Sequence, residues 1–249
     1  MRFRDKVILV LGGNSGIGLA SAHAFAEEGG VVRITGRDQA TINEAAASIE
    51  GAKGYRADMS DLSAMDDLID TIRAEDGRID VLFVNAGVGG FAPIRDLTPE
   101  AWDTIHNVNL RGAIFAIQKA LPLMGKGGSI VVTGSIGGHG VLPGNIAYGA
   151  AKAGLAMAVK IIAAELVGEG IRVNIVSPGP IDTPIINRNP GMTDDAVDAL
   201  RQQMIAAVPM HRMGQAEEVA KAVLFLASDD ASFITAANLF VDGGALELG

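Results

Sequence analysis

The chain contains no cysteine. Disulfide frameworks, thiolate nucleophiles and cysteine-ligated zinc are excluded together, while either redox compartment stays open. Aromatic residues make up only 4% of the 249 positions, against 32 glycines and 49% hydrophobic residues; that balance suits close-packed α/β layers better than an all-β sandwich. Long apolar runs are missing as well. No stretch approaches the roughly 18 residues of a membrane span. The opening MRFRDKVILVLGG breaks into glycine straight after Val7–Leu11, too soon for the apolar region of a secretory signal. A soluble, cytoplasmic protein is expected. Positive charge is in deficit, with a net charge of −9. This disfavours nucleic acid as a partner, because binding a phosphate backbone relies on clustered Lys and Arg. A small anionic ligand needs only a local site and is not excluded. His23, His106 and His211 lack ligand spacing, so no metal site is expected.

What is present is an alternation of short apolar runs with helical periodicity. Val7–Leu11, Val31–Thr35, Gly54–Ala57, Val81–Val84, Ser129–Thr133, Ile171–Val176 and Asn238–Val241 read as strands. Ile17–Glu28, Thr41–Glu50, Leu62–Ala74, Pro99 to about Leu121, and Tyr148–Val167 read as helices between them. The pattern implies a parallel, doubly wound sheet with helices on both faces. No linker or repeat interrupts it, so one domain over residues 1–249 is expected. The proline-bearing stretch Ser177–Gln215 is the irregular part. A short helix near Asp194–Ala207 and a lid over about 184–213 are expected there.

Three local patterns carry chemistry. Residues 10–20, VLGGNSGIGLA, place Gly12, Gly16 and Gly18 between a strand and a helix, where glycine admits a pyrophosphate to the backbone and helix N–H groups point at it. The spacing is neither that of a P-loop, since Leu19 and Ala20 stand where Lys and Ser/Thr are required, nor the commoner Gly-x-Gly-x-x-Gly. Tyr148 and Lys152 are four apart on a helix and share a face; an ammonium near a phenol favours the phenolate and makes it usable as an acid/base. Ser135 ends a strand upstream of them.

The Gly-x3-Gly-x-Gly loop, followed by NAG at 85–87, Ser135 and YGAAK at 148–152, resembles the classical short-chain dehydrogenase/reductase family along essentially the whole chain. The resemblance implies a single Rossmann-type domain with a seven-stranded parallel sheet, usually a homotetramer, and transfer of hydride between a nicotinamide cofactor and a secondary alcohol or ketone. It implies a catalytic set of Asn109, Ser135, Tyr148 and Lys152: Ser135 holds the substrate oxygen, Tyr148 moves its proton, Lys152 lowers the phenol pKa and binds ribose, and Asn109 holds a water that links Lys152 to solvent. Cofactor contacts are implied for Gly12, Asn14, Ser15, Gly16, Ile17 and Gly18, for Asp58 and Met59 at the adenine, for Asn85, Ala86 and Gly87, and for Pro178, Gly179, Ile181 and Thr183 beside the nicotinamide. Gly36 occupies the family's position for a ribose-binding acid, and Arg37 follows it. The implied cofactor is therefore NADP, with NAD as the alternative. Leu11 and Val84 depart from the family's usual threonine and asparagine.

A non-catalytic dinucleotide sensor and an NAD-dependent alcohol or sugar dehydrogenase are the competing readings; a sensor does not require all four catalytic residues. The loop Ile136–Asn145 carries no Arg or Lys, which points to a neutral or apolar carbonyl substrate. His139 within it reads as a solvated loop residue.

Overall fold

The apolar runs become the sheet. The structure, a computed structural model, describes residues 1–184 and 193–249; 185–192, in the first part of the expected lid, lies outside the described residues. The strands are β1 (Val7–Leu11), β2 (Val31–Gly36), β3 (Lys53–Arg56), β4 (Val81–Val84), β5 (Ser129–Thr133), β6 (Arg172–Pro178), β7 (Ile181–Asp182), β8 (Gly214–Gln215) and β9 (Asn238–Val241). Seven of them form one sheet in the order β3-β2-β1-β4-β5-β6-β9, parallel at every pairing. Strands β7 and β8 pair separately.

The helices are α1 (Gly16–Glu27), α2 (Gln39–Ala47), α3 (Leu62–Glu75), α4 (Pro99–His106), α5 (Ala113–Ala120), α6 (Ile146–Leu166), α7 (Asp194–Ala206) and α8 (Ala216–Ala227). Strand side chains alternate between the two faces. Ile8, Val10, Val81, Phe83 and Val131 pack with Phe25 of α1 and Val219 and Val223 of α8. Leu9, Leu11, Leu82, Val84, Ile130 and Val132 pack on the other face with Met65 and Leu68 of α3, Ile117 of α5 and Leu155 of α6. No helix among the described residues is long and apolar enough to cross a membrane.

Local signals place the helix starts. The Asp61 carboxylate accepts the N–H groups of Ser63 and Ala64, and Thr98 caps α4 ahead of Pro99 at the first turn, the position where a missing N–H costs least. The helix expected from Pro99 to about Leu121 is not continuous. A π-helical turn, Asn107–Gly112, divides it into α4 and α5. Gly112 shows why the region is crowded: a Cβ there would lie 2.4 Å from the Met59 carbonyl oxygen. Helix α8 is an addition to the expected elements, and its Val219, Ala220, Val223, Leu224 and Ala227 are buried at helical spacing.

The chain leaves β1 for β2 and β3 on one side and returns to β4 on the other. That reversal opens a crevice at the carboxyl ends of β1 and β4, the place where ligands bind in open α/β sheets. One ion pair is buried beneath this architecture. The Arg33 guanidinium on β2 donates to Asp76, just past α3, at 2.8 and 2.7 Å, with side-chain exposures of 7% and 8%. Asp76→Ala leaves that guanidinium buried without its partner and is expected to cost about 3 kcal/mol in urea denaturation. The double replacement of Arg33 and Asp76 by leucine is expected to recover most of the loss.

Candidate active site

The glycine loop is built on close backbone approach. Gly12 has φ +79°, and a Cβ on it would lie 2.7 Å from the Ala86 Cα. On Gly18 a Cβ would lie 2.0 Å from the Gly12 carbonyl oxygen, well inside any contact an alanine could make. Ser15 is the N-cap of α1 but makes no side-chain capping bond, so it does not cover the first N–H groups of the helix, which carry its positive dipole end. Where Leu11 removes a hydroxyl from the turn, the neighbouring strand supplies one: the Gly12 N–H donates to Thr35 Oγ1 at 3.1 Å. Asn85 ties the crevice together. Its Nδ2 donates to the Gly12 carbonyl at 2.9 Å, and its Oδ1 accepts from Thr133 Oγ1 at 3.1 Å.

At the far end of β2, Gly36 has no side chain, and Asn14 fills the space. A Cβ on Gly36 would lie 2.7 Å from Asn14 Cγ, and Asn14 Nδ2 donates to Thr41 Oγ1 at 2.8 Å. The Asp38 carboxylate caps α2 by accepting the Thr41 N–H at 2.9 Å, a bond that holds its pKa below the ordinary carboxylate value. The Asp58 carboxylate accepts the N–H and the hydroxyl of Ser60 on Oδ1, at 2.9 and 2.7 Å.

The other wall comes from β5, α6 and the π-turn. Lys152 is buried on α6, its Nζ donating to the Thr133 carbonyl at 2.7 Å and lying 5.8 Å from the centroid of the Tyr148 ring. Ser135 Oγ accepts the Gly137 N–H at 3.0 Å. The Asn109 amide clamps one residue from both sides: Oδ1 accepts the Val88 N–H and Nδ2 donates to the Val88 carbonyl, each at 2.8 Å. Above Gly87, a Cβ would meet Asn109 Oδ1 at 3.2 Å and Lys152 Nζ at 3.8 Å, so the glycine keeps this corner open. His139 is exposed, with its ring 2.9 Å from Asn238 Nδ2.

Beyond β6, the Gly179 N–H donates to the Val241 carbonyl at 3.0 Å. The Thr183 side chain lies 3.4 Å from where a Cβ on Gly16 would be, bringing this segment over the glycine loop. Every expected site residue except Gly18 and Asn109 lines one cavity of about 600 Å³, and those two stand behind its wall. Thr35, Thr41, Val88 and Thr133 also line it and were not marked by any motif; Thr133, two residues before Ser135 at a strand end, carried the clearest signal. The volume and the glycine cradle fit an extended dinucleotide.

Similarity to known proteins runs the same way. Residues 12–245 match the family described as enoyl-(acyl carrier protein) reductase. An oxidoreductase from Sarocladium schorii is 39% identical over 99% of this chain and 98% of its own. The chain belongs to the short-chain dehydrogenase/reductase family. Within it, the 3-oxoacyl-[acyl-carrier-protein] reductase of Thermotoga maritima is 37% identical over 98% of this chain and 99% of its own. The solved structure of levodione reductase superposes with a TM-score of 0.90 at 33% identity, covering 98% of each chain. As a short-chain dehydrogenase/reductase the protein is an oxidoreductase, of a family that binds a nicotinamide cofactor.

Burial governs the charges of this short-chain dehydrogenase/reductase's cavity. Desolvation raises the Tyr148 phenol above its ordinary pKa, and a hydrogen bond with the Ser135 hydroxyl opposes it. Desolvation lowers the Lys152 ammonium to about 8. The unfolded chain, with lysine at 10.5, therefore binds more protons than the folded one between those values, so this group makes stability rise with pH across that window. Lys152→Met is expected to flatten the rise, as read by urea denaturation from pH 8 to pH 10.5.

Proposed function

We propose that the chain is an NADP(H)-dependent oxidoreductase interconverting a secondary alcohol and a ketone, within one dinucleotide-binding domain spanning residues 1–249. The observation that carries this reading is the gathering of Ser135, Tyr148 and Lys152 on one wall of a cavity that also takes in the glycine loop. When bound, the nicotinamide supplies or accepts the hydride. Ser135 Oγ holds the substrate oxygen and Tyr148 Oη gives or takes its proton. The Lys152 ammonium holds ribose hydroxyls and biases the phenol toward phenolate. Asn109 works from behind, fixing Val88 and so the floor at Gly87. Its side-chain amide is engaged on Val88 at both ends, which leaves a water link to Lys152 to other groups of the turn.

The choice of NADP rests on the end of β2. A ribose-binding carboxylate has no place at Gly36, where Asn14 packs against the backbone. The neighbouring carboxylate, Asp38, is engaged as a helix cap. Arg37 lines the cavity there, and a guanidinium suits a phosphate. Asp58 and Met59 also line the cavity, where the carboxylate would receive the adenine amino group and Met59 would stand beside the ring. Exposed Phe91, Val141 and Leu142, in the loops that flank the catalytic wall, support a neutral, apolar carbonyl substrate. Met157 and Ile161 on α6, and Phe233 and Leu239 near the edge strand β9, are exposed as well, which supports assembly as a homotetramer; the cytoplasm is the compartment we assign.

Tyr148→Phe is expected to lower kcat by about 10³-fold while dinucleotide binding, followed by fluorescence, is retained. Equal turnover by wild type and variant would falsify the catalytic assignment. Arg37→Asp is expected to reduce the ratio of kcat/KM for NADPH over NADH by about tenfold or more. An unchanged ratio would remove the case for NADP.

A further inference from the structure

Strand β3 ends on Arg56, which pairs in register with Gly36 at the end of β2. Its Nε donates to the Arg37 carbonyl at 3.1 Å, so the Arg56 side chain crosses the backbone of the residue expected to meet the cofactor phosphate. Among the described residues no carboxylate lies within ion-pair distance of Arg56 or of Arg37. Six other arginines, Arg2, Arg33, Arg73, Arg78, Arg201 and Arg212, do carry acidic partners. Asp38, beside Arg37, feels the Arg56 charge but turns its carboxylate to the Thr41 N–H.

Charge balance gives these positions a purpose. A phosphate monoester carries about −1.5 to −2 at neutral pH. Arg37 and Asp38 together offer it no net charge. Adding Arg56 leaves a surplus cation, and among the described residues its two terminal amino groups have no hydrogen-bond partner while Nε is engaged. We propose that Arg56 is a second determinant of cofactor choice, binding the 2′-phosphate of the dinucleotide together with Arg37. This rests on the NADP(H) reading above.

The test is Arg56→Gln, which keeps an N–H donor for the Arg37 carbonyl but loses the charge, beside Arg56→Lys, which keeps the charge. Steady-state kinetics with NADPH and NADH are paired with calorimetric binding of adenosine 2′,5′-bisphosphate and of adenosine 5′-monophosphate to the full-length protein. The expected result for Arg56→Gln is a selective loss. KM for NADPH and Kd for the bisphosphate rise about tenfold, the monophosphate and NADH constants move far less, and Arg56→Lys recovers part of the difference. Weakening of both nucleotides alike, or of neither, overturns the proposal, even if Arg37→Asp alters the preference. A wild-type enzyme that favours NADH would instead overturn the NADP(H) reading itself, and this inference with it.

Discussion

The site depends on a turn that only a missing side chain permits. With 2.0 Å between the Gly12 carbonyl oxygen and the place a Gly18 Cβ would occupy, the start of α1 lies directly against the end of β1. Asn85 then reaches the same carbonyl and links it through Thr133 to β5. Thr133 in turn accepts Lys152 at its own carbonyl. A single chain of hydrogen bonds thus connects the glycine loop to Lys152. The two ends of the cavity are held in register by polar bonds across three neighbouring strands, while the apolar layers above and below supply the bulk of the stability.

How much of this is legible in the sequence depends on the range of each interaction. Tyr148 and Lys152 are separated by about one helical turn, so their common face follows from periodicity alone. The strands are legible because burial on both faces makes them continuously apolar, as in Val7–Leu11. The glycine loop and Ser135 are legible from spacing along one segment. The hydroxyl that braces Gly12 is not, because Thr35 reaches it only through the pairing of β1 with β2. Arg56 is hidden for the same reason: its neighbours are set by the register of β2 against β3. The clamp from Asn109 to Val88 spans 21 positions and appears only in the folded chain.

Polar groups in the interior are used here to position other groups. Asn174 is fully buried and holds the β9 side of the sheet through the Ile234 carbonyl and the Ala237 N–H. Arg172 donates to the carbonyls of Leu226, Ala227 and Ser228 at the end of α8, satisfying acceptors that a helix terminus leaves open. These bonds fix the last strand beside β6, and with it Val241, the acceptor for Gly179. The end of the cavity at Pro178 and Gly179 is therefore anchored from the C-terminal part of the chain, far from the glycine loop.

The π-turn gives the long helix a memory of its own length. Within Asn107–Gly112 the winding is looser than in α4 or α5, so the stretch absorbs one residue that an uninterrupted α-helix would have rotated by about 100°. Ala113, Ala116, Ile117 and Ala120 meet the core only because that residue is present. Loss of a single position between Asn107 and Gly112 would turn either the Asn109 amide from Val88 or this apolar face from the sheet. Insertions and deletions, tolerated at a loop tip, are thus disruptive here.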